Sequence, residues 1–257
     1  MNTKEKITQL AEYINQSENI VFLGGAGVST ESGIPDFRSS SGLYNSENSE
    51  YNVSPETILS RTYFFNKPEK FYDFYKTKML YPNARPNDAH KILAKLEEKG
   101  KIKAVVTQNV DNLHQDAGSK NVIELHGGIK NNFCLKCRKK FDLSYITEKD
   151  GVPYCDDCGG LIKPDVVLYE EQLNQDSLSA ARSCLIKADM LIVGGTSLAV
   201  NTAIVCVNWF FDNSRNMNNK SVIINSAETQ YDEMFDLCIK DKIGGVLSSA
   251  YRKLYGE

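Results

Sequence analysis

Four of the seven cysteines form two Cys-x-x-Cys pairs, Cys134 with Cys137 and Cys155 with Cys158, with 17 residues between the pairs. Each short knuckle can turn two thiolates toward one tetrahedral ion, the chemistry of a four-thiolate zinc ribbon. Two disulfides or four unrelated buried thiols would use the same residues. The regular spacing and a chain read as cytosolic favour zinc. With four sulfur ligands the ion has no open position and is structural. The basic run Lys136, Arg138, Lys139 and Lys140 reads as a solvated face of the knuckle, and Cys184, Cys206 and Cys238 as core thiols.

The sequence has three histidines. His126 follows an apolar run and precedes two glycines, the place of a general base opening onto a cleft. His114 lies three residues after Asp111, within one helical turn of a carboxylate. His90 falls in a helical pattern and reads as a surface or boundary residue. Position favours His126 over His114 as the base. A second candidate is Gly25-Ala26-Gly27, where missing side chains let backbone N–H groups approach an anion. Thr30 stands where the dinucleotide pattern has its last glycine, so a tight strand-to-helix turn without ligand reads equally well. Downstream, Pro35-Asp36-Phe37-Arg38 offers a ring to cover a ligand and a cation for a pyrophosphate.

These groups need elements to gather them. Residues 4–17 are expected to form a helix with Ile7, Leu10, Ala11 and Ile14 on one face, and residues 89–99 another with Ile92, Leu93 and Leu96 inward. Short apolar runs ending in turns occur at residues 20–23, 104–106, 122–125, 190–193 and 222–224. Apolar runs alternating with helices imply an α/β fold with a parallel sheet covered on both faces. Ligands of such sheets bind at the carboxyl ends of the strands, where the polar residues of interest cluster.

Two stretches break the rhythm. Residues 36–86 are rich in aromatics and read as helices, and residues 130–164 carry the paired cysteines. Both read as insertions that build a smaller lobe. The expected division is a sheet domain from residues 1–35, 87–129 and 165–257, a helical insertion over 36–86 and a zinc ribbon over 130–164.

Composition narrows the function classes. Thirty basic and 33 acidic residues in 257 give a net charge of −3, which argues against a broad nucleic-acid-binding face. No apolar stretch has the length of a membrane span, and the N-terminus lacks the apolar core of a signal peptide, so a cytoplasmic protein is expected. The sequence sets no oligomeric state, and a monomer is compatible with it.

Gly25-Ala-Gly-Val-Ser, Gly33-Ile-Pro-Asp-Phe-Arg38, Thr107-Gln-Asn-Val-Asp111, Glu124-Leu-His-Gly127, the cysteine knuckles and Gly195-Thr-Ser-Leu198 follow one another in this chain. In that order they resemble the sirtuins, the NAD-dependent protein-lysine deacylases, and the compact length is similar to bacterial members with little beyond the catalytic core. The resemblance implies a Rossmann-like domain with a small lobe of zinc ribbon and helical module, and NAD meeting acyl-lysine between them. It implies NAD contacts from Gly25, Ala26, Gly27, Thr30, Phe37, Arg38, Gln108, Val110, Asp111, Gly195, Thr196, Ser197, Asn225 and Ile243. Val166, Leu168, Tyr169, Leu198 and Val200 would meet the substrate peptide.

In the mechanism so implied, the acyl oxygen attacks the ribose carbon bearing nicotinamide, and nicotinamide leaves. His126 then acts as general base on a ribose hydroxyl, with Asn109 nearby. The implied products are nicotinamide, O-acetyl-ADP-ribose and free lysine, and the implied partners are acetylated protein lysines. The chain departs from the family pattern in places. Gly24 replaces threonine, Val110 isoleucine and Thr202 proline, while residues 166–171 replace a phenylalanine–glycine–glutamate loop that pairs with peptide. Tyr75-x-x-Lys78 stands where acid-acyl members carry Tyr-x-x-Arg, which favours acetyl over succinyl because lysine lacks the two-pronged guanidinium contact. Longer or acidic acyl groups, mono-ADP-ribosyl transfer and a zinc-ribbon NAD sensor are the competing functions. A sensor has no need of a base at His126.

Overall fold

The computed structural model describes residues 1–37, 42, 51, 53–214 and 219–256. Among these residues nine strands follow in chain order: β1 (Ile20–Gly24), β2 (Ile102–Thr107), β3 (Val122–Glu124), β4 (Gly127–Cys134), β5 (Lys140–Phe141), β6 (Ile162–Val166), β7 (Met190–Gly194), β8 (Lys220–Ile224) and β9 (Leu237–Ile239). Ten α-helices join them: α1 (Thr3–Gln16), α2 (Pro55–Ile58), α3 (Arg61–Asn66), α4 (Pro68–Phe74), α5 (Asp88–Glu98), α6 (Leu113–Asp116), α7 (Leu143–Glu148), α8 (Gln175–Leu185), α9 (Asn201–Ser214) and α10 (Ile243–Tyr255).

The larger sheet is parallel throughout, in the order β3-β2-β1-β7-β8-β9. Numbered within that sheet, the order is 3-2-1-4-5-6, that of a Rossmann fold. β1 and β7 lie at its centre and are buried at every residue, which is why they read in the sequence as unbroken apolar runs. Alternate residues serve opposite faces. Ile20 and Phe22 pack with Leu10 and Ile14 of α1, Leu93 of α5 and Leu247 of α10. Val21 and Leu23 pack with Leu185 of α8 and Val207 and Phe210 of α9. Asn2 caps α1 in a capping box with Glu5, so this helix begins one residue before the sequence pattern suggests.

The chain runs from β1 outward through β2 and β3, then returns past β1 to β7 and onward. The order reverses between β1 and β7, and a crevice opens beyond their carboxyl ends.

The second sheet is antiparallel, β5-β4-β6, and holds the cysteine knuckles. It shares one apolar cluster with α2, α3 and α4: Phe64, Phe71, Tyr72 and Phe74 are fully buried with Ile146 and Ile162. Phe64 and Phe71 meet edge to face at 4.8 Å, and the Tyr72 hydroxyl donates to the Ile162 carbonyl. Most of the described aromatics of residues 36–86 are therefore core, while Phe65 is exposed. After α4 the chain makes a π-helical turn over Tyr75–Met79.

Candidate functional site

The loops after β1 and β7 interlock through glycine. Gly25 N–H donates to Gly194 O at 3.1 Å, and Gly27 N–H donates to Gly195 O at 2.8 Å. A Cβ on Gly25 would lie 2.6 Å from Thr196 Cβ, and one on Gly27 would lie 2.8 Å from Gly195 Cα. Gly195 has φ +60°, and its Cβ would stand 2.3 Å from Val28 N. Backbone packing thus requires these glycines whether or not an anion sits above them.

Asn225, just past β8, ties the next loop in. Its Oδ1 accepts from Thr196 N–H at 3.0 Å and its Nδ2 donates to Thr196 O at 2.8 Å. The Thr196 hydroxyl donates to Gln108 Oε1 at 3.1 Å. Loops from four adjacent strands form one rim around a cleft of about 960 Å³. Ala26, Gly27, Thr30, Phe37, Gln108, Asn109, Val110, Asp111, His126, Gly195, Thr196, Ser197, Asn225 and Ile243 all line it. On the far side it is bounded by Tyr75, Lys78, Val166, Leu168 and Tyr169, with Val200 from the loop after β7. Gly25 lies behind the rim, Leu198 is buried in the core beneath it, and Arg38 lies outside the described residues.

A hydrogen-bonded chain runs along the cleft floor. Asn109 Nδ2 donates to Ser29 Oγ at 3.0 Å, and the Ser29 hydroxyl donates to Asp111 Oδ2 at 2.6 Å. Asp111 Oδ1 accepts from Leu113 N–H at 2.9 Å. Burial raises the Asp111 carboxyl above the ordinary range, against the lowering effect of these bonds. Ser29 was not singled out in the sequence, where its one signal is a small hydroxyl two residues past Gly27.

His126 occupies the turn between β3 and β4. Its Nδ1 lies 3.0 Å from Gln108 O. A carbonyl only accepts, so Nδ1 carries the proton. Nε2 keeps its lone pair, with no partner among the described residues, in a side chain that lines the cleft. Burial lowers the His126 pKa below 6.5, and the Gln108 carbonyl opposes that shift. The ring is therefore a neutral base at pH 7.

The other two histidines lie elsewhere and are unlike their sequence readings. His90 is fully buried, because it is the third residue of α5 and closes a capping box: Asn87 N–H donates to its Nδ1 at 3.3 Å. The ring nitrogens of His114 make no hydrogen bond among the described residues, to Asp111 or to any other group, and the ring meets that of His90 at 4.7 Å. Burial holds both neutral, with His90 lowered to about 4 and His114 to about 3. The unfolded chain binds protons first as the pH falls below 6.5, so stability present above that pH is lost on the way down. For His90 alone the loss at pH 5 is about 2 kcal/mol. Urea unfolding should show a lower midpoint at pH 5 than at pH 7.5, and equal midpoints would rule the pair out as an acid-labile point.

The four knuckle sulfurs lie within 4.8 Å of one another. Cys134 and Cys158 Sγ are 3.4 Å apart, and Cys137 and Cys155 Sγ are 3.6 Å apart. A zinc tetrahedron with ~2.3 Å bonds has edges of about 3.8 Å, whereas a disulfide would need about 2.05 Å. The donor set fits zinc. Gly160 makes room for it, since a Cβ there would lie 2.7 Å from Cys134 Sγ.

The segment after β6 is fastened on both sides. Val167 N–H donates to His126 O, Tyr169 N–H to Leu59 O, and Arg61 N–H to Tyr169 O. Buried Lys163 pairs with Glu171 at 2.9 Å, and Glu171 accepts from Leu168 N–H. Glu170 stands at φ 72°, a conformation disfavoured for its side chain, and is held there by the backbone N–H and hydroxyl of Thr62.

The pattern of the Sir2 family matches residues 25–202. The chain is 54% identical over 243 residues to an NAD-dependent protein deacetylase of Clostridium perfringens, covering 95% of this chain and 97% of that one. It is 51% identical over 255 residues to one of Clostridium tetani, covering 99% of each. Among solved structures, one described as Sir2 with p53 peptide and NAD+ superposes with a TM-score of 0.83 at 40% identity, over 98% of both chains. Another, holding deacetylated p53 peptide and 3'-O-acetyl ADP ribose, gives 0.86 at 38% identity, again over 98% of both.

Proposed function

The chain belongs to the Sir2 family, and we propose on that footing that it removes acetyl groups from protein lysine side chains, consuming NAD and releasing nicotinamide, O-acetyl-ADP-ribose and free lysine. The observation that carries the reading is the His126 ring, held by Gln108 with its basic nitrogen unpaired in a cleft wall. NAD supplies an electrophilic ribose carbon with nicotinamide as its leaving group. The cleft suits it, with a glycine rim at one end and a buried amide–hydroxyl–carboxyl chain at the other.

The residues divide the work. Ala26, Thr30, Thr196, Ser197 and Asn225 take the adenosine and phosphate end, with Arg38 as the cation. Asn109, Val110 and Asp111 receive the nicotinamide end, where a carboxyl raised by burial can meet a carboxamide. Phe37 lines the cleft and packs toward the aromatic cluster, which suits a ring that excludes water from the reacting carbon. His126 takes a proton from a ribose hydroxyl at Nε2. The fastened segment Val166–Tyr169, opposite Val200, presents backbone for an extended peptide carrying the modified lysine. The separate aromatic cluster supports the two-lobe division, with residues 36–86 and 130–164 as the small lobe. None of the seven cysteines is in a disulfide, four being gathered as metal ligands, which suits a reducing compartment such as the cytoplasm. No helix among the described residues is long and apolar enough to cross a membrane.

Mass spectrometry of an acetyl-lysine peptide incubated with the protein tests the proposal. Acetyl loss should require NAD, yield O-acetyl-ADP-ribose, and show an acid limb below pH 6.5, since a lowered base pKa keeps the ring active until lower pH. Acetyl loss without NAD would sink it.

A further inference from the structure

A two-residue turn between strands of different sheets does not by itself hold a ring in one direction, yet His126 sits in such a turn. The segment after β2 holds it. Leu125 N–H donates to Thr107 O and Ile129 N–H to Val110 O, both at 2.9 Å, with the His126–Gln108 bond between them. A side chain closes the far end of this ladder. Asn112 Oδ1 accepts from Lys130 N–H at 3.3 Å, while its Nδ2 donates to Glu124 Oε1 at 2.6 Å. Gln115 Nε2 donates to the same Glu124 oxygen at 2.8 Å. Asn112 therefore grips the last residue of β3 and the fourth of β4, one on each side of His126.

Two local features accommodate the grip. Asn112 stands at φ 62°, which asparagine tolerates better than most residues. Gly128 leaves the space clear, since a Cβ there would lie 2.8 Å from Asn112 Nδ2 and 3.0 Å from Glu124 Oε1. Neither Asn112 nor Glu124 lines the cleft.

We infer that Asn112 and Glu124 are positioning residues, whose clamp across the β3–β4 turn sets the direction of the His126 lone pair. The inference rests on His126 being the base of the proposed reaction. Both bonds at Glu124 come from amide donors, so an oxygen acceptor is needed there rather than a charge. Glutamine can supply it.

Asn112→Gly keeps the backbone conformation accessible and removes both side-chain bonds. Glu124→Ala removes the acceptor, and Glu124→Gln restores it. Each variant is compared with the unmodified protein in deacetylation and in nicotinamide exchange, which reports the step before the base acts. Asn112→Gly and Glu124→Ala should lose about 10- to 100-fold in deacetylation, the usual effect of a misplaced catalytic group. Their exchange should stay within about twofold, with Glu124→Gln close to the unmodified protein in both assays. Unchanged deacetylation in Asn112→Gly and Glu124→Ala would overturn the inference, and so would equal loss of both activities, the mark of a merely structural role. His126→Ala in the same assays separates the two levels: if it still deacetylates, the base assignment fails and the clamp has nothing to position.

Discussion

Alanine at position 126 should lower NAD-dependent deacetylation by about 10²- to 10⁴-fold, the range a positioned general base contributes. The folded protein should survive the change. His126 is only partly buried, and the hydrogen bond its ring makes to Gln108 is worth about 1 kcal/mol. Loss of rate with an unchanged melting curve is the expected pair of results. The residual activity should also lose the part of the acid limb that belongs to His126, because alanine has no group to titrate. Deacetylation within tenfold of the unmodified protein, measured by mass spectrometry at saturating NAD, would remove His126 from the chemistry.

Loss of the metal should reach further than loss of the base. Cys134 and Cys155 are buried in the same cluster as Phe64, Phe71 and Ile162, so the ion stands against a core and not at a surface appendage. Binding of structural zinc to such thiolates is worth about 10–16 kcal/mol near neutral pH, comparable to the whole stability of a domain, about 5–15 kcal/mol. Metal analysis should give one zinc per chain. Chelation, or Cys155→Ser, should abolish near-ultraviolet dichroism from the aromatic cluster together with activity. The ligands must be thiolates, so chelation should become easier as the pH falls. Active, normally melting protein that carries no metal would refute the ribbon.

The features legible in the sequence were those written into neighbouring residues. β1 and β7 are continuous apolar runs because helices cover both their faces, and the cysteine spacing states the ligand set outright. His126 stood out because a strand end and two glycines flank it. Other features depend on partners far along the chain. Gly25 and Gly27 read equally as an anion cradle or a tight turn, and Gly195, which packs against Gly27, belongs to another strand's loop. His90 read as a surface or boundary residue because it falls beside the apolar stripe of α5, whereas it is buried against Asn87 and the ring of His114. β9 is three residues long, too short to show a period. The Asn112–Glu124 bond joins two polar residues with no local pattern at all.

The cluster shared by the helical insertion and the small sheet also sets an order of events during synthesis. α3 and α4 leave the ribosome long before β4 and β6, yet Phe64, Phe71 and Tyr72 have their burial partners there. Until Ile162 has been made, the Tyr72 hydroxyl lacks its carbonyl partner and the rings lack the wall that β6 provides. A nascent chain stopped before that point carries an unshielded aromatic surface, the kind of surface that chaperones hold and that aggregates form from. The cluster can therefore be completed only after the segment with the second cysteine knuckle and β6 has emerged.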